Sequence, residues 1–357
     1  MQIQSPTVTQ FKGYDARKIK ALCIGTTRGG VAHELCTIGK KVGFDVFVPV
    51  YPTLINVEQC VRSVDLGHKL WLQDLVIPTP KNTVIPIFSA ELLATQISKM
   101  FDRVETRRFS KLPPGGNMFF VKNNEREDLL IGADNGNLIA KNDDLKSLLG
   151  VENVDIVPQM DFHIDMFLRP LENKNTLLTD DEMMVQLLIK GLSCINKALA
   201  KPDNDKQNLK KVYNNLAQKL REFRQEIDKN SYAKFAITEK YLKKQGYNPI
   251  RVPGRIYSID SQGSMRCTTN FMNAVVTKND NGELVYITNK SYFDEDCGIT
   301  PEIKKQIGFS LEDEFKKSIL AYVKPENVYF VEGEGHYLEN LLECSFGGLH
   351  CITTEII

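Results

Sequence analysis

Apolar and polar positions along this chain of 357 residues fall into two alternating rhythms. Ile19 to Ile24 is a short apolar run and predicts a strand. Val31 to Val42 spaces its apolar residues three and four apart, as a helix lying on a core does, and Gly43 supplies its stop. Phe44 to Tyr51, rich in Val and Phe, predicts a second strand, and Ile55 to Val64 a second helix. The series continues with a strand at Thr83 to Phe88, a helix at Ala90 to Phe101 and a hairpin of Phe119 to Lys122 with Leu129 to Gly132. A short helix at Leu145 to Leu149 and an extended Val154 to Val157 follow. Beyond residue 231 come a helix at Ala236 to Lys244 and an extended Pro249 to Val252. Strands at Asn273 to Val276 and Leu284 to Thr288 flank the turn Asn279-Asp280-Asn281-Gly282. A mainly helical Pro301 to Leu320 and a strand at Asn327 to Val331 complete the pattern. Strands alternating with helices predict an α/β fold, in which the same order of elements recurs about five times.

One region breaks this rhythm. Thr179-Asp180-Asp181-Glu182 has a hydroxyl followed three residues later by Glu, the spacing of a helix capping box. Apolar stripes then run through Met184, Leu187, Leu188, Leu192, Ile195 and Leu199, and, after a polar break, through Leu209, Val212, Leu216, Leu220, Phe223 and Ile227. Residues 179–229 therefore predict a helical hairpin, one face packed on the body of the protein and the other solvated.

Composition narrows the class. Hydrophobic residues make up 42% of the chain, enough for a sizeable core, and 45 Lys+Arg balance 45 Asp+Glu. Zero net charge argues against a general electrostatic grip on nucleic acid or on an anionic membrane. No apolar run approaches the roughly 18 residues a membrane helix needs, and the N-terminus lacks a secretory pattern. A cytoplasmic protein is expected, although an effector exported without a cleaved signal would look the same. The eight cysteines include no Cys-x-x-Cys pair, so they read as reduced thiols, and neither a metal nor another cofactor is expected. Gly25-Thr26-Thr27-Arg28-Gly29-Gly30 lies between a strand and a helix but lacks the Gly-Lys-Ser/Thr ending of a phosphate loop.

The chemistry concentrates in three short segments. Ser345-Phe346-Gly347-Gly348-Leu349-His350-Cys351 sets a thiol behind a Gly-Gly turn, with a histidine beside it. Phe162-His163-Ile164-Asp165 pairs an imidazole with a carboxylate, and Trp71-Leu72-Gln73-Asp74 carries a second carboxylate. Asp74 and Asp165 sit among apolar neighbours, where an unpaired charge is costly and a cation between them would offset that cost. A guanidinium is such a cation: planar, permanently charged and able to offer forked N–H donors to carboxylates. Its carbon is a poor electrophile, which calls for a soft nucleophile such as the Cys351 thiolate. A bound cation and the neighbouring His350 are expected to lower that thiol's pKa. His163 suits acid–base work. If its segment is a strand, the i, i+2 spacing puts His163 and Asp165 on one face.

Taken in order, these segments resemble the guanidino-group-modifying enzymes of the pentein fold. Gly347-Gly348-Leu349-His350-Cys351-Ile352-Thr353 is similar to the nucleophile motif of agmatine deiminases. Trp71-Leu72-Gln73-Asp74 resembles the Trp-x-Gln-Asp of peptidylarginine deiminases, with Gln73 in place of the agmatine-type arginine, and His163-Ile164-Asp165 resembles the family's His-x-Asp. Gly115-Gly116-Asn117 and Thr268-Thr269-Asn270-Phe271 are similar to further family segments. The resemblance implies one pentein domain over 1–357, a five-bladed pseudo-fivefold α/β propeller of ββαβ-type units, interrupted by the 179–229 hairpin. It implies Cys351, His163, Asp165 and Asp74 as catalytic residues, and Trp71, Gln73, Gly116, Asn117 and Gly348 as substrate-binding residues. The implied activity is deimination of arginine, agmatine or a peptidyl-arginine through a covalent thiouronium, giving a ureido product (citrullination, for arginine) and ammonia. An amidinotransferase or a non-catalytic pentein binding protein is the alternative. The expected partner is a guanidino substrate; calcium dependence is not implied, and the oligomeric state is left open.

Overall fold

The computed structural model describes residues 18–356 apart from 51–52, 61–70, 88–89, 107–111, 113, 124–125, 134–138, 203, 228, 260–264, 335–336, 339–340 and 343–347. The chain opens with β1 (Ala21–Ile24), α1 (Val31–Val42), β2 (Asp45–Val50) and β3 (Thr53–Asn56). The short helix α2 (Leu72–Leu75) leads into β4 (Val76–Pro78), β5 (Thr83–Pro86), α3 (Glu91–Phe101) and β6 (Val104–Glu105). Then come β7 (Met118–Asn123), β8 (Arg126–Gly132), α4 (Asp143–Leu149) and β9 (Asn153–Val157). The next group is β10 (Leu168–Pro170), β11 (Asn175–Thr179), α5 (Asp181–Leu199), α6 (Lys206–Glu226), α7 (Lys229–Lys244) and β12 (Asn248–Val252). A two-stranded hairpin, β13 (Arg255–Ile259) and β14 (Met265–Asn270), precedes β15 (Val275–Lys278), β16 (Leu284–Asn289), α8 (Phe293–Asp296), α9 (Pro301–Ile307), α10 (Leu311–Ser318) and β17 (Val328–Val331). Strand β18 (Thr353–Ile356) ends the described chain.

One pairing rule runs through these groups. Two strands pair antiparallel, and a third returns through a helical crossover to lie parallel to the second. It holds for β4-β5-β6, β7-β8-β9, β10-β11-β12 and β15-β16-β17. The first group completes the same pattern with a strand from the other end of the sequence: β18 pairs antiparallel with β1, and β1 pairs parallel with β2. Parallel neighbours need a long crossover, and the helices supply it.

Most predicted elements match, with α1 at the expected bounds and the β7–β8 hairpin slightly longer than read. The predicted helix at Ile55 to Val64 is a correction. Thr53–Asn56 pairs with β2, and Asn56 then caps a 3-10 turn at Val57–Gln59 by accepting from the Glu58 N–H at 3.0 Å. Sheet pairing and a local Asn cap take the backbone bonds that a helix would need; residues 61–64 lie outside the described residues. Helix α7 starts seven residues before the predicted Ala236. Strands β10, β11, β13, β14 and β18 were not legible, since their short, partly polar segments show no clear alternation.

The 179–229 hairpin is α5 and α6, and it occupies the crossover between β11 and β12. Asp180 caps α5 by accepting from the N–H groups of Glu182 and Met183. The two stripes face inward, packing with Phe293, Cys297, Ile303 and Phe309 in one apolar cluster. Gly191 sets how closely they approach: a Cβ there would meet the Phe309 ring at 2.9 Å and Leu216 at 3.0 Å. Leu216 is fully buried at that contact. Truncating Leu216→Ala is expected to cost about 2 to 5 kcal/mol in a denaturant titration, and Leu216→Met less than about 1.5. Equal, small losses for both would show that the hairpin is not part of the core.

Candidate active site

Asp74 lies on α2, the single helical turn after Trp71. It is half-buried, and its Oδ1 accepts from the Gly116 N–H at 3.1 Å. Gly116 belongs to a 3-10 turn, Gly115–Asn117, just before β7. A side chain on Gly116 could not fit: its Cβ would stand 2.7 Å from His163 Nδ1 and 3.2 Å from Asp165 Oδ2. The missing side chain thus lets the imidazole and both carboxylates gather around one peptide.

The segment carrying His163 and Asp165 is not the strand expected. His163 is extended, but Ile164–Met166 form a 3-10 turn. The physical reason is Asn117, fully buried, whose Oδ1 accepts from the Ile164 N–H at 3.2 Å where a strand would need a sheet partner. The two side chains still converge, because the extended His163 and the turn after it both abut Gly116. Phe162 is 45% exposed, and its ring lies 4.6 Å from that of His163.

Cys351 lies two residues before β18 and is a free, buried thiol. Its Sγ is 3.0 Å from Asn273 Nδ2 and 3.4 Å from Asp165 Oδ2. The same Asn273 Nδ2 donates to Asp165 Oδ2 at 2.9 Å, while Asn273 Oδ1 accepts from the backbone N–H of His350 at 2.8 Å and of Cys351 at 3.4 Å. One amide therefore joins nucleophile, carboxylate and turn. Two further buried asparagines hold it. Asn270 Oδ1 accepts from the Asn273 N–H, and Asn289 donates to the Asn270 and Asn273 carbonyls and accepts from Leu349 N–H. Gly348 admits Asn289, since a Cβ at 348 would lie 2.7 Å from its Oδ1. These asparagines and the ring of His350 were missed as site residues. The Thr-Asn-Phe segment at 269–271 was the one signal that could have found Asn270.

The predicted residues Asp74, Gln73, Gly116, Asn117, His163, Asp165, Gly348 and Cys351 thus form one connected cluster. Gln73 joins through its backbone N–H, 3.4 Å from the Cys351 carbonyl, and through its side chain, which contacts His350. Trp71 does something different: it packs on the apolar cluster containing Leu349 and Ile352. Segment 345–347 lies outside the described residues. Gly25 of the glycine-rich loop donates its N–H to the Ile352 carbonyl at 3.0 Å, so that loop braces the C-terminal turn.

Electrostatics at this cluster are unusual. Burial, reinforced by the negative charge of Asp74, pushes Asp165 up to about 8, and burial also raises Asp74. Burial lowers His163, with Asp74 pulling the other way. Cys351 is pushed well above the ordinary thiol value by burial and then by Asp165 and Asp74, whereas Cys23 reaches about 12 by burial alone. His350 does not supply the expected positive charge beside the thiol, because burial, with help from Arg169 and His163, holds it neutral. Gln73 Oε1, Asn117 Nδ2, His163 Nδ1 and Asp165 Oδ1 are all buried without a hydrogen-bond partner among the described residues. Unpaired buried polar atoms are costly, and several around one cluster mark a place built to meet a polar ligand. A cation there would pull both carboxylates and the thiol back toward their charged forms.

No protein-family profile matches the chain, and no curated protein matches it in sequence. Solved structures do. The agmatine deiminase of C. jejuni superposes over 100% of this chain and 98% of its own, with 14% identity and a TM-score of 0.54. A DDAH from Pseudomonas aeruginosa complexed with citrulline covers 95% of this chain and 100% of its own, at 11% identity and a TM-score of 0.43. The N-terminal domain of ArgZ, a cyanobacterial arginine dihydrolase, covers 94% and 97%, at 12% identity and a TM-score of 0.42. The chain shares its fold with the agmatine deiminase, in keeping with the fold that the resemblance implies.

The raised pKa of Asp165 has a consequence for stability. The folded chain holds this proton up to about pH 8, while an ordinary Asp releases it near 3.8. The stability linked to it is complete below about pH 4 and is lost as pH rises toward 8. Asp165→Asn removes this loss. Its melting temperature relative to the wild type is expected to climb between pH 4 and 8 and then level off; a difference independent of pH would show that Asp165 ionises freely in the fold.

Proposed function

We propose that this chain is a cysteine-dependent hydrolase of guanidino compounds, a deiminase acting on arginine or an arginine derivative. The observation that carries this reading is the convergence of Cys351, His163, Asp165 and Asp74 around Gly116, with unpaired buried acceptors facing the same cluster. A buried and a half-buried carboxylate beside a thiol would repel one another with nothing between them, and a forked cation relieves all three. The five repeats of one strand-pairing rule support a pseudo-fivefold pentein arrangement with this cluster at its centre.

In this mechanism the guanidinium nitrogens donate to Asp74 and Asp165. The cation favours transfer of the Cys351 proton to His163, and the thiolate adds to the guanidinium carbon, forming a C–S bond. His163 gives a proton to the departing nitrogen as the C–N bond breaks, so ammonia leaves a covalent thiouronium. His163 then takes a proton from water, whose oxygen adds to the same carbon. The adduct's hydroxyl proton passes to solvent as the C–S bond breaks, returning the thiolate and releasing the ureido product. Trp71, Gln73, Gly116, Asn117 and Gly348 are proposed as the supporting wall: Gly116 and Gly348 by making room, Asn117 and Gln73 through their unpaired atoms, and Trp71 by bracing the nucleophile turn.

Incubation with arginine, agmatine, methylarginines and an arginine-containing protein is expected to release ammonia and an equal amount of ureido product from at least one of them. Cys351→Ala should reduce that rate by more than about a thousandfold. Equal activity in the variant would overturn the mechanism. Turnover without ammonia that depends on an added amine would favour an amidinotransferase.

A further inference from the structure

His350 is not needed by the mechanism above, yet its ring is fixed at both nitrogens. Nδ1 lies 3.0 Å from Asp165 Oδ2, and Nε2 lies 2.9 Å from Gln73 Nε2. With the Gln73 amide nitrogen turned toward the ring it can only donate, and in this arrangement His350 Nε2 accepts. The proton of the neutral ring is then on Nδ1, where it donates to Asp165 Oδ2. That oxygen already receives the Asn273 amide at 2.9 Å and the Cys351 thiol at 3.4 Å. Three donors on Oδ2 leave Oδ1 as the oxygen without a hydrogen-bond partner among the described residues.

We infer that Gln73 and His350 form a positioning chain that anchors Asp165 Oδ2 and favours its carboxylate form against the opposing effect of burial, leaving the other oxygen for a cationic substrate. This rests on the guanidine reading and assigns roles to two residues outside its acid–base chemistry. The chain is directional. Were Asp165 protonated on Oδ2, His350 Nδ1 would have to accept, its proton would move to Nε2, and Gln73 would have to turn its carbonyl oxygen inward. Gln73 and His350 both line a small cavity, with Thr354 and Glu355, which gives the amide room to turn. The orientation of Gln73 is thereby linked to the charge on Asp165.

The other charged groups facing this line are accounted for. Asp74 from α2 and Asp161 from the preceding loop oppose charge on Asp165, while Arg169 from β10 favours it. Arg169 and His163 oppose charge on His350. Glu355 from β18 stands 3.8 Å from His350 Nε2 and is joined to Arg169 at 3.3 Å. None of these replaces the Nδ1 donor at Oδ2.

The test compares wild type with His350→Leu, His350→Asn and Gln73→Met. Two readouts are used: the pH profile of kcat/KM on whichever of arginine or agmatine is turned over, and the carbon-13 titration of the Asp165 carboxyl, assigned with Asp165→Asn. A lost hydrogen bond to a charged group should move both the acid limb and the carboxyl titration upward by about one to two pH units in His350→Leu. Gln73→Met should give a smaller shift in the same direction. His350→Asn, whose amide nitrogen can stand where Nδ1 stood, should restore the wild-type position. A uniform loss of activity with both curves unmoved would overturn the inference and leave His350 a packing residue. Because Gln73 is only half-buried, its variant keeps the test decisive if His350→Leu does not fold. A shifted carboxyl titration in a protein that turns over no guanidine would support the chain and overturn the proposed function.

Discussion

The antiparallel ladder between β18 and β1 is the constraint on which the site depends. Ala21 pairs with Ile356 and Ile24 with Thr353, which fixes Cys351 two residues before a strand that cannot slide without turning its buried side chains over. The same ladder brings Glu355 to Arg169 on β10, so two sheets are tied by a buried ion pair beside the nucleophile turn. From there the asparagines take over. Asn289 on β16 holds Leu349 and Asn273, and Asn273 holds His350, Cys351 and Asp165. The Cys351 thiol is therefore positioned by β18 on one side and, through Asn273 in the link between β14 and β15, by Asn270 and Asn289 at the ends of β14 and β16 on the other.

What the sequence made legible follows from the range of the forces involved. Helix periods and the β7–β8 hairpin are local, and they were read close to their true bounds, while the helix cap proved to be Asp180 and not the Thr179 hydroxyl of the expected capping box. That Asp74, His163, Asp165 and Cys351 belong together was legible from the ordered set of short motifs and their resemblance to one family, since each motif is weak by itself. Asn273 and Asn289 were not, because an asparagine in sequence looks like a turn residue, and only the fold shows that these two are fully buried. Strand β18, Thr353-Thr354-Glu355-Ile356, is buried throughout despite three polar residues, so its hydrophobic pattern gave no sign of it. The His163 segment was misread for a related reason: a distant side chain, Asn117, decided its backbone.

The charges show a site tuned by exclusion of water. Each of the four central groups is shifted in the direction that burial dictates, the acids and the thiol upward and the imidazole downward. In the proposed mechanism such a cluster is held uncharged until a cation enters, which would restrict the chemistry to the molecule that supplies the charge. Thiols elsewhere, such as Cys23, share the burial but have no carboxylate and amide aligned on the sulfur.

The pairing of β1 with β18 also governs how this molecule comes to exist. Joining Ala21 to Ile356 closes a loop spanning nearly the whole described chain, and such closure is paid in conformational entropy before its contacts return anything. Sheets closed by neighbouring strands can form first, but the reactive centre has no partial version. Competence of the site is all-or-none in the folding of the whole chain, and the thiol gains its protection from solvent oxidants only when the two remote ends meet.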